Sequence, residues 1–579
     1  MDQNRLFLAI AISVAILLGF NFLMPRRNAQ QVAQQTTQST PSSATPQPSH
    51  DPATPGTQPA SVPPPTERRD VPRLQISAPK LQGSINLLGA RLDDLVLRDY
   101  HEEVSPSSPL VRLLEPRVDP QPYYVQFGWT GEGVNVPQPD TQWTASVPEL
   151  TTTHPVTLSW DNGAGLVFQI VLSIDDNYMF TAEQRVQNNS GAPVQLYPWA
   201  RIRRDYKPQT AGYYILHEGL LGVLGGRLQE QTYDKAKSEA EKANGPSLAM
   251  DTTGGWLGIT DKYWLTALIP DQSEPVRAAF RHLTENGSDR YQVDFVSENA
   301  VAAAPGASAS STTRLFAGAK VVQLLDRYES EYKLPNFDKA VDFGWFYFLT
   351  KPIFYALDWL YHVVGNFGVA IMIFTVFVKL LFFPLANKSY KAMSKMKLLG
   401  PKMQDIRERY KDDPQKMQQE IMGLYRAEKV NPASGCLPMV IQIPVFFSLY
   451  KVIFVTIEMR HAPFFGWIRD LSAVDPTNVF NLFGLIPWNP IVISPMLHLG
   501  AWPLIMGCTM FFQQKLNPPP PDPVQARLFQ FMPIIFTFML ARFPAGLVIY
   551  WSWNNLLTIL QQWTIMKRTA VGRPQMARS

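Results

Sequence analysis

Lys379 is the residue with the most evident chemistry. It is a cation inside the apolar run 367–386, FGVAIMIFTVFVKLLFFPLA, which contains no acid to pair with it. A charge near the middle of a membrane span costs about 2.5–3.5 kcal/mol on insertion scales, so it needs water, an anion or an escape route. Thr375 lies one turn earlier on the same helical face and extends the polar stripe. Leu385 is six residues further on, about 9 Å along a helix. A lysine stem can nearly snorkel that far. From this helix alone, snorkelling and a functional cavity are equally good readings.

Other apolar runs carry polar residues toward the same end. Gln442 falls in a run over 436–457, and Gln513 and Gln514 close one over 491–512. Ser552, Asn554, Asn555 and Thr558 follow Tyr550 and Trp551 in the last run. Each alone is an ordinary interhelical hydrogen-bonding residue, worth roughly 0.6–2 kcal/mol. Together, on four helices, they are better explained by a shared wet cavity around Lys379.

The segment 387–433 is a second candidate site. It predicts two amphipathic helices, near 387–411 and 414–429, broken at Asp412-Asp413-Pro414. Met393, Met396, Met403, Met417 and Met422 form a flexible apolar stripe beside basic residues such as Lys397. Such a stripe packs the hairpin or adapts to varied apolar partners. The basic face is either solvated or in contact with anionic lipid or ribosomal RNA.

Several chemistries find no support. The sequence has no P-loop, no HExxH and no GxSxG, and its eight histidines lack metal-ligand spacing. The two cysteines, Cys436 and Cys508, form no disulfide framework or CxxC site. No enzyme activity, cofactor or metal is expected.

These residues must be held by a chain of several units. Residues 1–27 contain an apolar run (6–24) followed by Pro-Arg-Arg, which predicts an uncleaved transmembrane anchor, with cleavage the lesser alternative. Residues 28–72 hold ten prolines among Gln, Ser, Thr and Ala and predict an extended tether. Residues 73–335 alternate short β-type runs with turns such as Asp161-Asn162-Gly163, predicting a β-sandwich with helices near 233–244 and 320–333. Residues 336–362 predict an aromatic helix lying on the bilayer surface. Residues 363–567 predict five core helices, which with the anchor make six transmembrane helices. Residues 568–579 are a basic tail. The segment 387–433 has eleven Lys/Arg, whereas 458–490 has only Arg460 and Arg469. The positive-inside rule therefore predicts a cytoplasmic hairpin and both termini cytoplasmic, with the β domain outside.

The motifs resemble the YidC family of membrane protein insertases, which includes the mitochondrial oxidase-assembly and chloroplast Albino-type proteins. The resemblance rests on TVFVKLLFFPL, SYKAMSKMKLLGPKMQDIRERYKDDPQ, NPASGCLPMVIQIPVFFSLY, APFFGWIRDLSAVDP, MFFQQKL and FMPIIFTFMLARFPAGLVIYWSWNN, with GGWLGITDKYWLTALIP and LFAGAK in the outer domain. It spans nearly the whole chain and fits the Gram-negative form. It implies a mixed fold: a polytopic α-helical membrane protein with a large periplasmic β-supersandwich, in the bacterial inner membrane. It implies insertion, folding and assembly of nascent membrane proteins, alone or beside the Sec translocon, through a hydrophilic groove. Ribosomes and membrane lipids are further implied partners, and DNA is not. The family's groove cation is commonly arginine, and Lys379 stands at that position. Gln514 and Trp551 fall on groove positions, Thr375 and Tyr550 on substrate-contact positions, and the hairpin on the client-capture segment.

Two rivals come from other classes. A small-solute transporter usually shows internal repeats, and none is visible among the five core runs. A carbohydrate-processing outer domain would fit a sandwich, but no acid pair can be placed.

Overall fold

The computed structural model describes residues 71–571, except 211, 213–215, 286, 412, 432–436, 495–496 and 518–522. The expected anchor, nearly all of the tether and most of the basic tail lie outside the described residues.

Alternation makes the first domain. Leu166–Ile174 buries every second residue and pairs antiparallel with Met179–Asn188. Asp175 closes this hairpin by accepting from the amides of Asn177 and Met179 at 2.9 and 3.0 Å. At the preceding turn Asp161 accepts from the Gly163 amide at 2.8 Å, with Gly163 at φ +70°. Such pairs build one sheet of eleven strands and another of nine among the described residues. Their inner faces share one apolar core, in which Trp256, Phe168, Phe280 and Phe316 are fully buried. Two helices accompany them as expected, α1 (Tyr233–Ala243) and α2 (Val322–Glu331). Thr232 caps α1 by accepting from the Lys235 amide at 3.3 Å.

The C-terminal region is helical. Its elements are α3 (Tyr347–Val364), α4 (Phe367–Leu381), α5 (Phe383–Leu398), α6 (Gly400–Arg409), α7 (Pro414–Ala427), α8 (Leu437–Val455), α9 (Ala501–Leu516), α10 (Pro523–Leu540) and α11 (Ala545–Val571). Among the described residues no single helix is long and apolar enough to cross a membrane. The pair α4–α5 passes that test jointly, bent by 68°.

Four boundaries depart from expectation. The run 367–386 ends at Leu381, because the chain bends at Phe382 and Pro384 starts a new helix. The first hairpin helix is two pieces, parted at Leu399-Gly400-Pro401. Within the run 491–512 the described α-helix begins at Ala501. There the Thr477 hydroxyl accepts from the Ala501 amide and the Asp475 carboxylate from the Trp502 amide, both at 2.9 Å, which fixes the helix start. The aromatic segment 336–362 begins its α-helix at Tyr347, after Gly344 turns the chain at φ +73°.

The two regions share a continuous core. Lys262 lies 3.7 Å from the centre of the Phe454 ring, and Arg460 donates to the carbonyls of His101 and Glu102 at 2.6 and 3.0 Å. Just beyond α8, Glu458 accepts from the Val322 amide at 3.0 Å, tying that loop to the start of α2. The charges that interrupt α3 face the β domain: Lys351 pairs with Asp326 at 2.9 Å, and Asp358 accepts from Gln323 at 2.6 Å. A neighbouring face of α3 exposes Phe348, Trp359 and Val363.

Candidate functional site around Lys379

Helix α4 starts where Asn366 accepts from the Val369 amide at 3.1 Å, and its apolar residues hold it against α3 and α11. Lys379 leaves this helix two residues before its end. Its ammonium donates to Thr558 Oγ1 on α11 at 2.8 Å, and that hydroxyl donates to the Asn554 carbonyl at 2.7 Å. No carboxylate pairs with Lys379 among the described residues.

Lys379 separates two environments. On one side lies a closed seam with Phe374, Thr375, Val378, Gln442, Val445, Leu449, Tyr550 and Asn554, which leaves no room for water. There Thr375 is buried and donates to the Ile371 carbonyl at 2.7 Å, and Gln442 donates to the Tyr550 hydroxyl. On the other side is an open cavity of about 600 Å³ between α4–α5 and α11. Asn387, Lys391, Gln561 and Thr564 line it together with Lys379, and Val376, Leu380, Phe383, Leu557, Leu560 and Ile565 supply apolar walls. The side-chain amide nitrogen of Gln561 is buried there without a protein acceptor.

The structure thus gathers Thr375, Gln442, Tyr550 and Asn554 beside Lys379, in the narrow seam rather than in the open cavity. It places the other two groove candidates apart. Gln514 donates to the Phe529 carbonyl, joining α9 to α10, and Trp551 packs on Phe446 and Phe536 with ring centres 4.6 and 6.1 Å away. The polar part of the cavity lining comes from residues outside the predicted set. Asn387 and Lys391 are one turn apart on α5, and Gln561 and Thr564 nearly so on α11. That spacing is a readable signal for one polar face.

Lys451 was also passed over. It is a second cation within an apolar helix, α8, but it pairs with Asp342 at 2.9 Å and donates to the Asp342 carbonyl at 3.1 Å.

In the hairpin the methionine stripe packs inward, one of its two readings. Met393, Met396 and Met403 are buried with Tyr390, Leu399, Ile421 and Tyr425 in a small core that reaches Ile565, and Met417 packs on it. The apolar faces of α5–α7 pack on each other and on α11, so these thioethers fill the hairpin interior. Only Met422 of the five is exposed, and Lys397 is exposed as well.

Comparison with known proteins matches this division of the chain. Residues 73–356 match the YidC periplasmic domain, and residues 359–572 match the 60Kd inner membrane protein family. The membrane protein insertase YidC of Granulibacter bethesdensis is 61% identical over the full length of both chains. The chain belongs to the YidC family of membrane protein insertases. The Methylorubrum extorquens YidC is 51% identical over 98% of this chain and 96% of its own. A crystal structure of an active YidC insertase with its first transmembrane domain resolved aligns over 85% of this chain and 92% of its own, at 18% identity and a TM-score of 0.35. Within the YidC family, the β-sandwich therefore corresponds to the periplasmic domain and the helical region to the inner-membrane part.

Proposed function

We propose that this chain inserts membrane proteins by admitting the polar flank of an apolar client segment into the cavity beside Lys379. The observation that carries the reading is a lysine at the inner end of an apolar helix, held by one hydroxyl and facing an open cavity of about 600 Å³. An anion entering from the cytoplasm would find Lys379, Lys391, Asn387 and the Gln561 amide before it met the dry seam. The cavity thereby shortens the apolar barrier that the flank must cross. The membrane potential adds about 2.3 kcal/mol per charge per 100 mV for an acidic flank. The apolar segment then leaves into lipid, driven by burial of its surface, with no nucleotide or covalent step.

The arrangement that goes with this reading has six spans: the N-terminal anchor, α4 with its continuation, α8, α9, α10 and α11. The termini and the hairpin 387–433 are cytoplasmic, the sandwich is periplasmic, and α3 lies along the outer interface. Nascent membrane proteins are the clients. The Sec translocon is a partner for larger clients, and the basic hairpin, with Lys397 exposed, meets ribosomes or anionic lipid.

The test is depletion of a host's own insertase and rescue with this chain, read by protease protection of a small client with an acidic outer tail. Rescue is expected. Failure to insert any client would overturn the reading.

A further inference from the structure

Between Asp475 and His498 the chain has no Asp, Glu, Lys, Arg or His. Residues 476–497 leave the outer ends of the core helices and return to α9. The loop has a fixed neck, where Asn478 Nδ2 donates to the Leu497 carbonyl and the Val479 amide donates to the Leu499 carbonyl, both at 2.8 Å. Beyond the neck the usual burial is inverted. Leu482, Phe483, Leu485, Trp488, Val492 and Ile493 all point outward, Leu485 and Val492 more than 80% exposed.

The polar atoms are turned the other way. Asn478, Asn481 and Asn489 each accept from a backbone amide of the loop, those of Phe480, Gly484 and Ile491, at 2.9–3.1 Å. The Trp488 indole donates to the Phe480 carbonyl at 3.2 Å. Leu482 and Phe483 both sit at positive φ, +51° and +58°, a left-handed pair that bulky residues rarely adopt. That conformation is what aims both side chains away from the protein.

We propose that this loop is a wedge that inserts into the outer leaflet of the bilayer, its partner being phospholipid acyl chains rather than protein. The inference rests on the membrane arrangement given above. Three features favour lipid: an absence of charge along the whole loop, most of its backbone donors bonded from within, and continuity with helices placed in the bilayer. A protein partner would be expected to meet a charged or hydrogen-bonding rim, which the tip lacks.

The test uses the full chain in liposomes with Cys436 and Cys508 replaced by serine. Single cysteines at Leu485→Cys, Val492→Cys, Phe538→Cys in α10 and Ser107→Cys on the β domain carry an environment-sensitive fluorophore. Nitroxide-labelled phospholipids should quench the probes at 485, 492 and 538, and aqueous iodide should quench only the probe at 107. Iodide quenching at 485 and 492 with lipid quenching retained at 538 would overturn the wedge and leave the membrane reading standing. Absence of lipid quenching at 538 would overturn both. Shielding of 485 and 492 from both quenchers would overturn the lipid partner in favour of a protein contact.

Discussion

Replacing Lys379 by methionine separates the two jobs this lysine can do. Methionine keeps the stem and removes the charge and the bond to Thr558. If the ammonium attracts a client carboxylate, the attraction at ~4 Å lies between about 1 kcal/mol in water and about 4 kcal/mol at an effective dielectric near 20. At about 1.4 kcal/mol per tenfold, insertion of an acidic client should fall by roughly fivefold to a thousandfold, nearer the low end because the cavity is open. The assay compares two single-span clients by protease protection, one with aspartates in its outer tail and one with asparagines. Lys379→Met should impair the aspartate client far more than the asparagine client. Lys379→Glu should widen the gap by repulsion, and Lys379→Arg should keep insertion while adding two-point contact. An equal loss for both clients would refute direct attraction and leave Lys379 the task of keeping the cavity wet. No loss for either would remove it from the mechanism.

Four further outcomes follow from the same packing. Burial pushes the Glu458 carboxyl up to about 7, against 4.5 unperturbed, so between those values the folded protein holds a proton that the unfolded chain has lost. Stability should therefore fall as pH rises from about 4.5 to 7, and Glu458→Gln should raise Tm at pH 8 and leave it unchanged at pH 4, a gain of roughly 1–3 kcal/mol. A Cβ on Gly507 would lie 2.1 Å from Thr537 Oγ1, so Gly507→Ala should cost about 1–3 kcal/mol in thermal unfolding, with Thr537→Ala restoring much of it. Asp342→Asn removes the carboxylate that pairs with Lys451 and should destabilise by about 1–3 kcal/mol, an effect lost in a Lys451→Met background. Met393→Asn should speed hydrogen exchange across α5–α7 and Met422→Asn should not, since the first is buried in the hairpin core and the second is exposed.

What the sequence made legible is what local rules decide. The strand Leu166–Ile174 follows from alternation, and the start of α7 from Asp413 and Pro414. Non-local matters were hidden. The sequence run from 491 onward is apolar, yet the α-helix α9 starts only at Ala501, where Asp475 and Thr477 cap it. The methionine stripe has the same spacing whether it faces a client or a partner helix, and only the folded hairpin shows which. Apolar context made Lys379 conspicuous, but Lys451 escaped notice although α8 is equally apolar, and its carboxylate is 109 residues away in the chain.

The contrast between these two lysines is the strongest physical argument for the site. Both are cations in apolar helices, where an uncompensated charge is expensive. Lys451 is compensated inside the fold by the side chain and carbonyl of Asp342, an arrangement that ties α8 to the segment before α3. Lys379 has one hydroxyl, that of Thr558, with the seam on one side and the cavity on the other. An ion pair would have stabilised α4 more simply, but it would also have occupied the ammonium. A lysine left without a carboxylate, at the boundary between a dry seam and a cavity, keeps its attraction for an anion that arrives from outside the chain.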